Sequence, residues 1–142
     1  MLVKEVMNEN ILATTKEAII KDIARTMTKN RIGGLLVLEE TKLTGIITER
    51  DILSKLVARG EDPRIIRVDQ IMTPNPITIQ DDDTIDKAIE LMTDNKIKKL
   101  PVMHEDRLVG ILTASDIIEI KPKMIQALYK LIQATEQKMT AA

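Results

Sequence analysis

The chain lacks the side chains on which several kinds of functional site depend. Its 142 residues include no cysteine, tryptophan or phenylalanine, one tyrosine and one histidine. The lack of cysteine excludes disulfides, thiolate metal sites and cysteine nucleophiles, and it suits a reducing cytoplasm. Because aromatic residues are so few, stacking of nucleobases on aromatic rings is excluded as well. The interior must therefore be packed from aliphatic side chains and methionine.

The charge balance lacks a basic excess. Lysine and arginine total 21 against 22 acidic residues, which gives a formal net charge of -1. Nucleic acid is therefore a disfavoured partner, since binding to a phosphate backbone draws on positive charge. No run of about 18 apolar residues occurs, and the opening segment has no apolar stretch typical of a secretory signal. We expect one globular body in the cytoplasm, with no membrane span.

The chain contains an internal duplication with a constant offset of 65 residues. Met7 recurs as Met72, Met27 as Met92, and the segment Gly45-Ile46-x-Thr48-x-x-Asp51 recurs around Gly110 and Asp116. An ungapped comparison of residues 7–53 with 72–118 gives about 16 identities, a level that indicates a true repeat.

Each copy is predicted to form a β-α-β-β-α unit. Apolar residues recur with helical spacing in the first helix of each copy, namely Ile20, Ile23, Ala24, Met27 and Ile85, Ala88, Ile89, Met92. Two strands follow in each copy, separated by four-residue polar loops at 39–42 and 104–107, and a second helix starts at Thr48 or Thr113. The fold class is α/β of the α+β kind, with copy 1 in residues 1–62, copy 2 in 63–120 and a C-terminal helix in 121–142.

The C-terminal segment from Lys121 to Met139 is predicted to be a helix. Its apolar stripe consists of Met124, Ala127, Leu128, Leu131 and Ile132. Such a stripe favours docking on the chain's own core or on a second subunit, with recognition of another protein as the alternative.

The motif Thr-x-x-Asp occurs at the strand-to-helix junction of both copies, as Thr48 to Asp51 and Thr113 to Asp116. One interpretation is a helix cap, in which the threonine and the acidic side chain satisfy backbone amides and do nothing else. The other is a binding site, because a helix start favours an anion and an adjacent carboxylate accepts two hydrogen bonds from a vicinal diol such as ribose.

In tandem, these motifs resemble a pair of CBS domains, also called a Bateman module, over residues 1–120. The resemblance rests on the methionine-led start, the strand around Leu100-Pro101-Val102 and the Gly-Ile-(Ile/Leu)-Thr-x-x-Asp-Ile ending of each copy. It implies that the two copies pack about a pseudo-twofold axis into a flattened disc with two clefts. In that family the clefts bind adenosyl compounds such as AMP, ADP or ATP, and the aspartate holds the ribose while the threonine faces phosphate.

The resemblance implies two ligand sites, to which both copies contribute. The residues of the site around Asp116 would be Thr113, Ile111, Lys98, Ile11, Leu12, Ile32 and Gly33. Those of the site around Asp51 would be Thr48, Arg50, Ile46, Pro76, Ile77 and Ile97.

The two copies differ at positions that bear on these sites. Arg50, Lys98 and Lys99 are candidates for phosphate contacts. Arg50 has Ser115 as its counterpart, so we expect unequal sites, with the Asp51 site favouring the more highly phosphorylated ligand. Two further differences, Leu36 against Pro101 and Gly33-Gly34 against Lys98-Lys99, leave occupancy of a single site open.

An enzymatic role is disfavoured, because no catalytic motif occurs and the single His104 falls in a predicted loop. We also expect no metal site, since the three acids of Asp81-Asp82-Asp83 precede a helix whose dipole they complement. The leading interpretation is a regulatory module that binds an adenine nucleotide, forms a homodimer and signals to an effector on another polypeptide. The alternatives are a module that dimerises and docks without ligand, and a nucleic-acid-binding regulator.

Overall fold

The computed structural model describes residues 1–120 and 125–140, with side chains as far as residue 134. These residues form two compact units that do not follow chain order. Leu12–Pro76 form one, which we call the first-copy unit, and Met1–Ile11 join the chain from Ile77 onward in the other, the second-copy unit. The domain boundaries predicted above follow the repeat along the chain and stay a prediction.

The first-copy unit is built on a four-stranded sheet of order β1-β2-β3-β4. Strands β1 and β2 are parallel, whereas β2, β3 and β4 are antiparallel to their neighbours. The elements run in the order β1 (Ala13–Thr14), α1 (Ile20–Asn30), β2 (Gly34–Glu39), β3 (Lys42–Thr48), α2 (Glu49–Ile52), a π-helical turn (Leu53–Val57), α3 (Val68–Ile71) and β4 (Thr73–Pro74).

The second-copy unit repeats this plan with a three-stranded sheet of order β5-β6-β7. Its elements are a 3-10 helix (Val3–Glu5), β5 (Ile79–Gln80), α4 (Ile85–Asn95), β6 (Lys99–His104), β7 (Arg107–Thr113), α5 (Ala114–Ile120) and α6 (Ile125–Thr140). At the outer edge of β7, Asn8 bridges to Ile111, just as Thr73 pairs with Ile46 on β3. The predicted mixed α and β class and the β-α-β-β-α order of each copy are confirmed.

Helices α1 and α4 bury the apolar faces that the sequence predicts. Ile20, Ile23 and Met27 of α1 are buried, as are Ile85, Ala88 and Met92 of α4. Both helices end at a residue in the left-handed conformation, Arg31 and Lys96. The amides of these residues bond back to carbonyls in the last turn of the helix, which satisfies backbone groups that the helix leaves open.

Each unit has its own aliphatic core. In the first-copy unit the buried set is Ile20, Ile23, Met27, Leu35, Val37, Ile47, Leu56, Val68 and Ile71. In the second-copy unit it is Val3, Ile79, Ile85, Ala88, Met92, Leu100, Val102, Leu112, Ala114, Ile117, Leu128 and Leu131. Burial of Val3 with residues beyond position 77 places the start of the chain in the second-copy core.

The two hairpin turns are shorter than predicted. Glu39 pairs with Lys42, and His104 pairs with Arg107, so strand pairing consumes the outer two residues of each predicted four-residue loop. Glu40 and Glu105 have φ angles of 58° and 54°. One left-handed residue in each turn reverses the chain within two residues, and the added pairing satisfies more backbone groups than a longer loop would.

The C-terminal helix docks on the core of its own unit. Leu128 and Leu131 are buried there, which confirms that part of the predicted stripe. Ala127 is exposed, so its assignment to the stripe was wrong. Leu128 and Leu131, three residues apart, form the buried face of the helix, and Ala127 lies at the margin of that face. Met124, with the rest of 121–124 and 141–142, lies outside the described residues. No helix within the described ranges is long and apolar enough to cross a membrane.

Two glycines let a backbone segment approach the outer strand of each sheet closely. A Cβ atom on Gly45 would lie 2.8 Å from Met72 Sδ and 2.9 Å from the Thr73 carbonyl oxygen. On Gly110 it would lie 2.6 Å from Met7 Sδ and 3.1 Å from the Asn8 carbonyl oxygen. The repeated methionine and the repeated glycine are thus two halves of one contact in each unit.

We therefore predict that Gly45→Ala and Gly110→Ala each lower the free energy of unfolding by about 1–3 kcal/mol, because backbone and thioether must shift to admit the methyl group. Urea unfolding checks this. Gly60→Asn is the matched control, since Gly60 has a φ of 68° and a Cβ atom added there would meet no other atom within 4 Å. Asparagine tolerates that conformation, so a change below about 0.5 kcal/mol is expected. Wild-type unfolding midpoints for both alanine variants would refute the steric argument.

Candidate functional site

The Thr-x-x-Asp motif of the first copy forms a complete helix cap. Thr48 ends β3, and its hydroxyl oxygen accepts a hydrogen bond from the Asp51 amide at 3.1 Å. In return, Asp51 Oδ2 accepts from the Thr48 amide at 3.1 Å and from the Thr48 hydroxyl at 3.0 Å. Both side chains therefore satisfy amides at the start of α2, and the predicted cap is present in this copy.

The second oxygen of Asp51 is also engaged. Oδ1 accepts a hydrogen bond from the Thr73 hydroxyl at 3.0 Å and forms an ion pair with Lys55 Nζ at 3.0 Å. Asp51 is 6% exposed and is the only buried polar or charged residue within the described side chains. Four donors thus compensate for the removal of this carboxylate from water.

The cap of the second copy is similar, but its carboxylate is less engaged. Asp116 Oδ2 accepts from the Thr113 amide at 3.2 Å, and the Asp116 amide donates to the Thr113 hydroxyl at 3.1 Å. Asp116 is half-buried. Within the part of the chain that the structure describes, Asp116 Oδ1 has no hydrogen-bond or ion-pair partner. One acceptor oxygen of this motif is therefore available to a ligand.

Several predicted site residues lie near Asp51 within the first-copy unit. The Gly33 carbonyl accepts from the Glu49 amide at 3.0 Å, which fixes the end of the α1–β2 connection against the start of α2. Ile46 lies on the face of β3 opposite its core residue Ile47, in register with Thr73.

The structure also places the remaining predicted residues of this unit. Ile32 packs at the edge of the core, Pro76 is half-buried, and Leu12 and Arg50 are exposed.

A groove of about 520 Å³ runs along α1, α2 and the π-helical turn of the first-copy unit. Ile32 and Gly33 line it together with Glu49, whose carboxylate lies over Gly33, and with the exposed Leu53 and Val57. Asp51 and Thr48 are not among its lining residues. The groove and the Asp51 carboxylate are therefore separate features of this unit.

The remaining predicted residues lie in the second-copy unit, and Lys98 lies next to the cap of Asp116. The Lys98 carbonyl accepts from the Ala114 amide at 2.8 Å, which sets Lys98 beside the Thr113 cap. Ile111 lies on β7 opposite Asn8, and Ile97 packs against the core. Ile11 is half-buried and Ile77 is 39% exposed. The predicted contributions from one copy to the other copy's site stay a prediction.

The acidic run Asp81 to Asp83 has structural partners. The carbonyls of Asp81 and Asp83 accept from the amides of Lys4 and Val3, and the Asp83 side chain accepts from the Gln80 amide and pairs with Lys87. His104, predicted in a loop, is instead the last residue of β6, with its Nδ1 3.1 Å from Asp81 Oδ1. Among the described residues, no cluster of three or more acidic or histidine side chains could hold a metal ion.

Sequence reasoning missed Lys55 and Thr73, the two residues that engage Asp51 Oδ1. A signal for Lys55 was present, because acid and base four residues apart on a helix pair readily. Thr73 gave no local signal, since it lies 22 residues from Asp51 and reaches it only through the pairing of β4 with β3. The repeat itself could have flagged both: residues 65 positions away are Ile120 and Asn8, which differ in chemistry.

Comparison with known proteins decides the family. The family profile described as CBS domain matches residues 3–58 and again residues 68–123. The chain belongs to the CBS-domain family. The two matches show that it carries a tandem CBS pair, as the sequence motifs predicted.

Relatives of this CBS pair include two archaeal proteins. MJ0653 of Methanocaldococcus jannaschii is 35% identical over 135 residues, which cover 95% of this chain and 70% of that protein. MK0525 of Methanopyrus kandleri is 31% identical over 125 residues, which cover 87% of this chain and 64% of the relative. The chain thus spans about two thirds of the length of these curated relatives.

A solved structure of a CBS pair resembles the fold closely. It is the CBS domain pair of protein MJ0100 in complex with 5′-methylthioadenosine and S-adenosyl-L-methionine. It matches with a TM-score of 0.73 and 30% sequence identity, and the match covers 84% of this chain and 98% of that one.

The difference between the two caps predicts a difference in their contribution to stability. Asp51→Ala removes a buried carboxylate that accepts from four donors and leaves the part-buried Thr48 and Lys55 without their acceptor, so we expect a loss of about 2–3 kcal/mol in the free energy of unfolding. Asp116→Ala removes a single cap bond, and we expect a loss of about 0.5–1 kcal/mol. Chemical denaturation measures both values.

Asp69→Ala is the control for removing a carboxylate from the surface. Asp69 pairs with Arg67, whose side chain is 48% exposed, and such pairs contribute at most about 0.5–1 kcal/mol. Equal losses for Asp51→Ala and Asp116→Ala would contradict the unequal engagement of the two carboxylates.

Proposed function

We propose that this CBS pair is a cytoplasmic regulatory module that binds an adenosyl compound through its Thr-x-x-Asp caps and signals occupancy to a partner protein. The ligand class includes AMP, ADP and ATP. The residues predicted above from the family resemblance form the binding surface, and the role is binding rather than catalysis.

The observation that carries this proposal is the Oδ1 acceptor of Asp116, which has no partner among the residues that the structure describes. A carboxylate whose Oδ2 is held by the Thr113 cap has a fixed orientation, and its Oδ1 then accepts hydrogen bonds from the two hydroxyls of a ribose. Half-burial shields such bonds from water and strengthens them. An orientation set in advance also lowers the entropic cost of binding.

The complexes of MJ0100 support the adenosyl class. Both of the ligands named for that structure contain adenosine, one neutral and one cationic at sulfur. What they share is the purine and the ribose diol. The proposal takes from those complexes the adenosyl class alone, and it assigns recognition of the diol to the aspartate of this chain.

Phosphate recognition would come from positive side chains next to the caps. Lys98 lies beside the Thr113 cap through the bond of its carbonyl to the Ala114 amide, and Arg50 lies inside the Asp51 motif. Neither side chain forms an ion pair with another residue of the described part of the chain. Both are therefore free to meet a phosphate, which supports nucleotides over neutral adenosyl compounds.

We expect AMP and 5′-methylthioadenosine to raise the melting temperature of the protein, since a ligand present at 100 times its Kd adds about 2.7 kcal/mol to the free energy of unfolding. Asp116→Ala should abolish most of this shift. The 2′,3′-dideoxy form of AMP, which lacks the diol, should bind at least tenfold more weakly than AMP. Thermal shift and titration calorimetry measure both effects.

Lys98→Met tests the phosphate contact separately. This substitution should weaken the binding of AMP but leave the affinity for 5′-methylthioadenosine unchanged, since only AMP carries a phosphate whose negative charge the Lys98 ammonium group would contact. If no adenosyl compound shifts the melting temperature, the ligand-independent docking module becomes the better explanation. Mobility-shift assays at low salt test the remaining alternative, nucleic acid, for which no binding is expected.

We also propose that the module is a homodimer. Leu53 and Val57, four residues apart on the π-helical turn of the first-copy unit, are 64% and 59% exposed. Large aliphatic side chains that are exposed together favour burial in an interface. Light scattering should give twice the chain mass, and Leu53→Glu with Val57→Glu should give the monomer mass; a wild-type monomer would refute the dimer.

A further inference from the structure

The two aspartates of this CBS pair differ in whether their outer carboxylate oxygen is free. Asp51 Oδ1 has two donors, the Thr73 hydroxyl and the Lys55 ammonium group, each at 3.0 Å. Asp116 Oδ1 has none within the residues that the structure describes. A ribose diol needs this oxygen, because the cap already engages Oδ2 in both copies.

The difference follows from two substitutions between the copies. Lys55 lies four residues after Asp51, and the residue four after Asp116 is Ile120. Thr73 pairs with Ile46, and the residue paired with the equivalent Ile111 is Asn8. The Asn8 side chain instead accepts from the Asn10 amide at 2.8 Å. The second-copy unit thus keeps the backbone arrangement, but neither Ile120 nor Asn8, at the two equivalent positions, donates to Asp116.

Lys55 is held in place by more than the aspartate. Its Nζ also donates to the Ile71 carbonyl at 3.1 Å. It lies in the π-helical turn Leu53–Val57, which the Ala58 amide closes by bonding to the Leu53 carbonyl at 2.9 Å. The equivalent segment of the second copy continues as the α-helix α5 up to Ile120. The lysine is therefore fixed between Asp51 and the end of α3, with its side chain 32% exposed.

We propose that Lys55 and Thr73 form a latch that occupies Asp51, so that Asp116 is the carboxylate open to a ribose and Asp51 binds one only after the latch opens. This inference rests on the proposed function, because it assigns the two Thr-x-x-Asp caps different affinities for the same ligand class. An entering diol must replace a charge-assisted bond and a hydroxyl bond with two hydroxyl bonds, which leaves it little net gain.

The latch also bears on the unequal sites expected from Arg50 and Ser115. With the latch closed, a ligand gains nothing from the Asp51 carboxylate, whatever Arg50 contributes to phosphate binding. The chain then has one high-affinity ligand position, and the affinity of the second depends on whatever moves Lys55. Lys55 and Thr73 are thus the residues that determine how many adenosyl ligands one chain binds.

The test exchanges the latch between the copies and uses 5′-methylthioadenosine as the probe, because it has the diol but no phosphate. Titration calorimetry on the full chain should show one tight site in the wild type. Lys55→Met with Thr73→Val should tighten a second site at least tenfold. Ile120→Lys with Asn8→Thr, which installs the latch beside Asp116, should weaken the tight site at least tenfold.

Two features keep the exchange interpretable. Ile120 and Asn8 are both exposed, so the installed latch can be studied even if removal of Lys55 unfolds the protein. Lys87→Met is the matched control, because Lys87 forms an ion pair with Asp83 at the same spacing of four residues without any part in a cap of this motif. It should leave both affinities unchanged.

The outcomes separate the latch from the proposed function. No binding of the probe to any variant overturns the adenosyl function, and the latch with it. If the probe binds at one or two sites and neither double substitution changes their affinities, the latch alone is overturned. Two equal tight sites in the wild type also overturn it, while leaving the adenosyl function intact.

Discussion

The close approach of a methionine-led segment to a glycine on the outer strand is the contact on which the rest of each unit depends. At Gly45 it admits Met72 and Thr73, and at Gly110 it admits Met7 and Asn8. This contact sets a segment along the edge of each sheet, and in the first copy it positions Thr73, whose hydroxyl donates to Asp51. It also explains why the compact units depart from chain order, since each copy of the repeat is completed by the segment that precedes the other copy.

Much of this architecture could be predicted because it follows from local patterns in the sequence. The stripes of α1 and α4, the paired strands and the caps at Thr48 and Thr113 all depend on residues a few positions apart. The fold and the family followed from the duplication. The predicted bounds of the hairpin loops were wrong by one residue at each end, because strand pairing includes the first and last residue of each predicted loop.

Local reasoning reaches only part of the state of each candidate site, since the spacing of Lys55 from Asp51 gives a signal and Thr73 gives none. Whether Asp51 is free depends on Thr73, which is brought there by a two-residue strand too short to give a periodic signal. It depends as well on Lys55, whose position follows from a π-helical turn that the helical pattern does not distinguish from a regular helix. Single side chains in short elements therefore determine whether a carboxylate is free to bind a ligand, while the long elements determine the fold.

The position of the first residues in the second-copy unit has a consequence for synthesis of the chain. Val3 is fully buried among residues from 79 onward, and Asn8 bridges to Ile111. The segment around Val3 must therefore wait until residues from 79 onward have been synthesised before its partners exist, whereas Leu12–Pro76 has its partners within its own range. Contacts of such long sequence separation slow folding, so completion of the second-copy unit should be the late step in biogenesis.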